Sequence, residues 1–216
     1  MEPTGWPGVY RIGRDLYTRN AVPGEAVYGE DLRSESGSEF RRWDPWRSKL
    51  AAYLGKAEPF PLFQGVRTVL YLGAAHGTTV SHLSDALPDA TIFAIEKSPP
   101  SFAPLLALAR RRSNVLPILA DAQLPERYAA DVGPVDLLYQ DVAQRDQPRI
   151  YRENAVTCRA RTGLLMLKIR SVTQRRAPGE VARLARRELT DAGHRVGAGV
   201  DLGPFSREHV ALPIDL

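Results

Sequence analysis

Four short apolar runs each end where chemistry could be done. Val69-Leu70-Tyr71-Leu72 runs into a glycine turn, Gly73-Ala74-Ala75-His76-Gly77-Thr78-Thr79. The runs 91–95, 115–119 and 135–139 end at Glu96, Asp121 and Gln140-Asp141. Two glycines let a backbone turn tightly and come close to a ligand. The helix start that follows offers unpaired N–H groups to a negative group. Glu96 is spaced to grip a ribose diol, and Asp121 to accept from an adenine amino group. The same acids also serve as ordinary strand-end caps, but three of them beside one glycine turn describe a nucleoside pocket. The turn is neither the Gly-x-Gly-x-x-Gly of nicotinamide enzymes nor a P-loop. S-adenosylmethionine suits the set best, having a ribose, an adenine and a carboxylate but no phosphates.

Lysine is scarce. It stands only at 49, 56, 97 and 168, and every other basic residue is arginine. Burial and neighbours can tune a lysine for proton transfer, which arginine does not allow. Lys168 inside an apolar strand is unusual, because an unpaired buried ammonium is costly. Lys49 on an amphipathic helix reads, taken alone, as a solvated charge more readily than as a catalytic one. His82 and His194 read as core or helix-surface residues, and no metal-ligand spacing is present.

These residues need elements to hold them. Short apolar runs alternating with helical stretches predict buried parallel strands. Ligands in such sheets sit beyond the carboxyl ends of the strands. The helices are expected at 78–87, 99–112, 147–159 and 179–192, with Pro104 pointing to a late start or a kink in the second. Residues 163–169 form a fifth strand, and 194–201 with 209–213 a closing antiparallel pair. Asp44-Pro45 reads as the start of a helix that stops at Gly55. Before it, 8–12, 16–19 and 25–28 alternate like a small antiparallel unit, and 34–38 reads as a polar loop. The expected architecture is α/β: a doubly wound, mostly parallel, seven-stranded Rossmann-like sheet over residues 44–216, with a small antiparallel β unit over 1–43.

The bulk properties narrow the setting. A chain of 216 residues buries a sizeable core without disulfides. One cysteine, Cys158, excludes an internal disulfide and a cysteine-rich zinc site, and reads as a small buried apolar residue. No apolar stretch reaches the roughly 20 residues that span a bilayer, and no signal-peptide pattern opens the chain, so a cytoplasmic protein without a membrane partner is expected. The formal charge of +4 and the pI near 9.4 agree with a phosphate-rich partner. Arg170, Arg175 and Arg176 follow the Lys168 strand and are candidates for RNA phosphates. Nothing in the pattern announces an RNA-recognition module or an aromatic platform for bases.

Beyond these readings, Tyr71-Leu72-Gly73-Ala74-Ala75-His76-Gly77-Thr78-Thr79-Val80-Ser81-His82, Tyr139-Gln140-Asp141-Val142-Ala143-Gln144, Arg47-Ser48-Lys49-Leu50-Ala51-Ala52 and the stretch from Thr18 to Glu30 closely resemble fibrillarin, in the family's order. The family's long glycine- and arginine-rich leader is missing, so the archaeal form is expected. The resemblance implies an RNA 2′-O-methyltransferase that takes its methyl group from S-adenosylmethionine. It implies cofactor contacts at Gly73, Ala75, Gly77, Thr78, Thr79, Glu96, Lys97, Asp121, Ala122, Asp141, Val142, Ala143 and Gln144. It implies a catalytic set of Lys49, Asp141, Lys168 and His209, with Asp141 expected to hold Lys168. It also implies partners: a box C/D guide RNA paired with target rRNA or tRNA, a Nop-domain scaffold and a kink-turn-binding ribosomal-like protein. The family usually has serine at the place of His76 and an aromatic residue at that of Lys97, two departures that bear on cofactor affinity. The competing classes are a nicotinamide dehydrogenase on a similar sheet and a scaffold subunit that has lost activity.

Overall fold

Alternate residues of the central strands feed two different cores, which is why the apolar runs are continuous rather than alternating. Val69, Tyr71, Ile92, Ala94, Leu137, Tyr139, Leu164 and Met166 belong to one cluster. Their neighbours Leu70, Leu72, Ile95, Leu138, Leu165 and Leu167 belong to the other. A sheet covered on both faces requires this pattern. The structure is a computed structural model that describes residues 1–59, 61–172 and 177–215.

The first strands are β1 (Glu2–Pro3), β2 (Val9–Ile12), β3 (Asp15–Arg19), β4 (Leu32–Glu35) and β5 (Ser38–Trp43). They form a five-stranded antiparallel sheet in the order β1-β2-β3-β5-β4. Two expectations are corrected here. Residues 25–28 are not a strand, because the Glu30 carboxylate takes the N–H groups of Val27 and Tyr28 at 2.8–3.1 Å and curls the backbone into a loop. The polar stretch 34–38 is instead a hairpin. Glu35 pairs with Ser38, and Ser36 and Gly37 between them both have positive φ, 51° and 76°, as a tight two-residue turn demands.

The helix expected from Asp44 begins later. The Asp44 carboxylate accepts the Trp46 N–H at 2.9 Å, which makes a separate turn. Ser48 is the true cap, accepting from the Ala51 N–H, and α1 covers Lys49–Leu54. The chain continues through β6 (Thr68–Leu72), α2 (Thr78–Ala86), β7 (Thr91–Glu96), α3 (Pro99–Ala109), β8 (Val115–Leu119), α4 (Ala129–Val132), β9 (Leu137–Gln140), α5 (Gln147–Thr157), β10 (Thr162–Lys168), α6 (Ile169–Val172), α7 (Pro178–Asp191), β11 (Arg195–Val196), β12 (Val200–Asp201) and β13 (His209–Asp215). Helix α3 starts at Pro99 and runs through Pro104; a proline there gives up its bond to the carbonyl four residues earlier. Cys158 caps α5 from within the core, and burial pushes its thiol pKa up to about 11.

The second sheet has eight strands. Seven follow the order β11-β13-β10-β9-β6-β7-β8, and β12 also pairs with β13. Strands β6 to β10 are parallel, and β13 runs against β10. The order turns back at β6: β7 and β8 lie on one side of it, β9 and β10 on the other. Such a switch point opens a crevice at the carboxyl ends. Its two walls are the turns after β6 and β9.

A buried polar network joins the first sheet to α2. The Arg41 guanidinium donates to Glu30 at 2.6 Å, to Asp85 at 2.6 Å and to Ser81 at 2.9 Å, with no exposed surface of its own. Arg112 pairs with the other oxygen of Asp85. His82 lies within hydrogen-bond distance of Thr18 and Tyr28, 2.8 and 2.9 Å, and its ring stacks on Trp43. Burial, reinforced by Arg41 and Arg112, holds its pKa well below the usual imidazole range. His82 is thus a core residue, as its place in the sequence suggested.

Candidate active site

The glycine turn after β6 folds over the end of β7. The N–H groups of Gly73 and Ala74 both donate to the Ile95 carbonyl at 3.0 Å. Gly73, Ala75 and Gly77 all have positive φ. A Cβ at Gly73 would collide with the Asp141 carbonyl, so only glycine lets the two walls of the crevice approach this closely. Glu96 closes the turn from below. One of its oxygens accepts from Ala75 N–H at 2.9 Å, the other from Ser98 N–H at 2.7 Å.

A cavity of about 300 Å³ opens in this crevice. It is lined by Gly73, Ala75, Glu96, Lys97, Asp121, Ala122 and the whole segment from Asp141 to Gln144, together with Ile95 and Ala120. Of the expected cofactor positions, Gly77, Thr78 and Thr79 do not line it; they form the start of α2 behind the turn. Burial works to raise the Asp121 pKa, but the Gln123 N–H, the Gln144 amide at 3.1 Å and Lys97 hold it below the ordinary carboxylate value. With its amide nitrogen on Asp121, Gln144 leaves its Oε1 buried and without a partner among the described residues. That orphaned acceptor, the two carboxylates and the absence of any phosphate-binding lysine in the turn fit an adenosine bearing no phosphate. His76 is exposed and outside the lining, so its ring does not fill the cavity. Lys97 is tethered to Asp121, 3.7 Å away.

The expected catalytic residues converge at one end of this cavity. Lys49 Nζ donates to Asp141 Oδ2 at 2.8 Å, and both side chains are partly exposed. Asp141 was expected to hold Lys168; it holds Lys49 instead, because α1 enters the crevice over the end of β9. Lys168 and His209 are direct partners in the β10–β13 ladder. Partners in an antiparallel pair point to the same face. Burial lowers the His209 pKa; the Arg207 carbonyl opposes it in part, and the smaller effects of Lys49, Asp141 and Lys168 leave it below the usual imidazole value. The imidazole is therefore neutral near pH 7. Its Nδ1 lies 2.9 Å from the Arg207 carbonyl, which can only accept, so Nδ1 carries the hydrogen. Its Nε2 is then a lone-pair acceptor, buried and without a partner among the described residues.

Sequence reasoning missed the residue that clamps this end. Gln147, fully buried at the start of α5, accepts the Lys168 N–H at 2.8 Å and donates to the Lys168 carbonyl at 3.1 Å and to Gln144 at 2.9 Å. Gln140 in turn donates to the Gln147 carbonyl at 2.8 Å. A glutamine at a helix start carries no such signal in the chain itself. Ser48 and Thr79 make a similar tie, 3.0 Å between hydroxyls, joining the cap of α1 to the helix behind the glycine turn.

Other expected residues lie elsewhere. Arg170 is exposed and paired with Glu208; Arg175 and Arg176 lie outside the described residues. A larger cleft of about 980 Å³ opens where Gln64, Arg161, His194 and Asp215 meet, and it shares no residue with the cavity described above. Among the described residues no group of three or more His, Cys, Asp or Glu could hold a metal ion.

The crevice at the switch point, the acids at its strand ends and the antiparallel last strand define a Rossmann-like methyltransferase domain. A family model described as Fibrillarin matches residues 2–214. A fibrillarin-like rRNA/tRNA 2′-O-methyltransferase of Methanosarcina mazei is 41% identical over 213 residues, 95% of this chain and 93% of the relative. An Aeropyrum pernix fibrillarin crystallised with natively bound S-adenosyl-L-methionine is 39% identical, with a TM-score of 0.88 over 99% of this chain and 96% of its own. The fibrillarin of a fibrillarin/Nop5p complex is 36% identical, with a TM-score of 0.89 over 100% and 99%. The chain belongs to the fibrillarin family.

Proposed function

We propose that this protein is an RNA ribose 2′-O-methyltransferase that uses S-adenosylmethionine and serves as the catalytic subunit of a box C/D ribonucleoprotein. One observation carries the reading: a cavity suited to an unphosphorylated adenosine ends at two ammonium groups, one carboxylate and one neutral imidazole. The relatives' names and the bound cofactor of the Aeropyrum pernix protein support it. Glu96 would hold the ribose diol, and Asp121 with Gln144 the adenine. When bound, the cofactor supplies a methyl group already activated by its sulfonium.

A ribose hydroxyl is a weak nucleophile, so the protein must align it and handle one proton. Lys168 receives that proton as the neutral amine, having first given its own ammonium proton to solvent. Lys49, held by Asp141, faces the oxygen as negative charge develops on it. His209 shares a face of the β10–β13 ladder with Lys168, and its Nε2 lone pair is left for a donor on the substrate side. Gln147 fixes the backbone from which Lys168 projects.

Target choice comes from outside the chain in this reading. A guide RNA pairs with the rRNA or tRNA target, while a Nop-domain scaffold and a kink-turn-binding protein seat the enzyme; the neighbour bound to Nop5p supports the scaffold. The test is calorimetry with S-adenosylmethionine followed by transfer of labelled methyl to a guided target in a reconstituted particle. Saturable binding and transfer to one guide-specified ribose are expected. Binding without transfer in the complete particle would make the chain a scaffold, and robust site-specific transfer by the isolated chain would remove the need for partners.

A further inference from the structure

We infer that Trp46 and Phe205 form a stacking platform for a nucleobase of the RNA next to the ribose being methylated; this rests on the function proposed above. Trp46 is 61% exposed, whereas Trp6 and Trp43 are buried. Its ring is nonetheless held. Phe205 meets it nearly perpendicularly, ring centroids 5.1 Å apart. The Asp44 carboxylate fixes the Trp46 N–H, and a backbone bond from Arg47 N–H to the Asp44 carbonyl, 3.1 Å, closes the turn. An aromatic face fixed before its ligand arrives loses little freedom on binding.

Its place points to RNA. Trp46 stands three residues before Lys49, which a chain can separate by at most about 11 Å. Phe205 precedes Ser206, whose hydroxyl lies 3.0 Å from His209 Nδ1. The pair therefore spans the two segments that deliver Lys49 and His209. Arg47 and Arg207, each beside one of the aromatic residues, are exposed. A ring for a base with cations for the adjoining phosphates is the pattern of single-stranded nucleic-acid sites. An exposed tryptophan can also anchor a protein partner. A protein seated here would cover the approach to Lys49 and His209, along which the ribose must come, so RNA is the occupant the geometry favours. Neither aromatic residue alone suggests a platform; the fold makes one by bringing them together.

The test uses the reconstituted particle with Trp46→Ala, Trp46→Tyr and Phe205→Ala. Trp46→Ala is expected to raise KM for target RNA roughly 5- to 100-fold, the size of one lost base–aromatic stack, with kcat and cofactor affinity little changed. Trp46→Tyr should restore most of the loss. An abasic nucleotide flanking the target ribose should weaken the wild type and leave Trp46→Ala unmoved. Phe205 is partly buried, so Trp46→Ala decides the matter should Phe205→Ala melt early. An unchanged KM, or abasic and alanine effects that simply multiply, would overturn the platform. So would loss of the Nop-domain partner from Trp46→Ala particles, which would make the residue a protein contact. A wild-type particle that transfers no methyl at all would instead sink the underlying function.

Discussion

Lys49 Nζ reaches Asp141 Oδ2 at 2.8 Å across 92 residues of sequence, so the carboxylate of the proposed catalytic cluster pairs with Lys49 and not with Lys168. Lys49 thereby remains a fixed cation for the oxygen. Replacing either partner should lower kcat by roughly 10²-fold, as losing one charge-stabilising group does. The double variant Lys49→Ala with Asp141→Ala should be little worse than either single one, because the two act as a unit. Methyl-transfer rates of the three variants in the particle measure this, and multiplicative losses would show that the pair is not coupled.

Lys168 has no carboxylate partner among the described residues, which suits a group that takes up a proton. Lys168→Ala should reduce turnover by about 10²-fold or more while cofactor binding persists. Lys168→Arg should not rescue it, since a guanidinium does not release its proton.

Gln147 acts on the reaction through Lys168. Gln147→Ala leaves buried backbone groups of Lys168 unpaired, which should cost about 1–3 kcal/mol of stability in denaturant unfolding. It should also lower kcat in the wild-type background but add nothing to Lys168→Ala. A further drop in the double variant would give Gln147 a separate role.

Two histidines predict two pH effects. His209 is kept neutral chiefly by burial, which pushes its protonation below the ordinary imidazole range; once protonated it loses its Nε2 acceptor and adds a cation beside Lys49. The kcat profile should therefore fall on the acid side, and His209→Gln should lose that limb. His82 affects stability. Its pKa is lowered in the folded state relative to the unfolded chain, so the unfolded chain binds more protons as pH falls. Its contribution is complete above the unfolded value near 6.5 and declines as pH drops from there toward the folded value. Urea midpoints at pH 7.5 and pH 5 should show the decline, and His82→Gln should reduce the difference.

The Arg41 guanidinium ties the first sheet to α2. Arg41→Met removes the cation from Glu30 and Asp85 while both carboxylates stay buried, a loss of about 3–5 kcal/mol. Thermal melting would register it. Exchanging the half-buried Arg42, which pairs with the more exposed Asp15, should cost much less.

Much of the site was legible in the chain. An apolar run that must be buried on both faces ends where polarity returns, so Glu96, Asp121 and Asp141 had to fall at the tips of parallel strands, and a glycine turn after the first run had to face them. Lys168, stranded in an apolar run, announced itself by its cost. Local turn chemistry was harder to read. Asp44 and Ser48 are both good caps, and only the bond from Ala51 shows which one starts the helix. Residues 25–28 alternate like a strand, yet the Glu30 carboxylate claims their backbone donors.

What the sequence determined by itself is the parallel sheet, the nucleoside pocket at its carboxyl edge and the residue types that meet there, because periodicity and composition act locally. The tertiary structure alone decided which ammonium Asp141 holds, that Gln147 clamps Lys168, that Arg41 ties the first sheet to α2 and that Trp46 finds Phe205. Each of these is a contact between segments far apart in the chain. Its energy depends on distance in space, which no local pattern encodes.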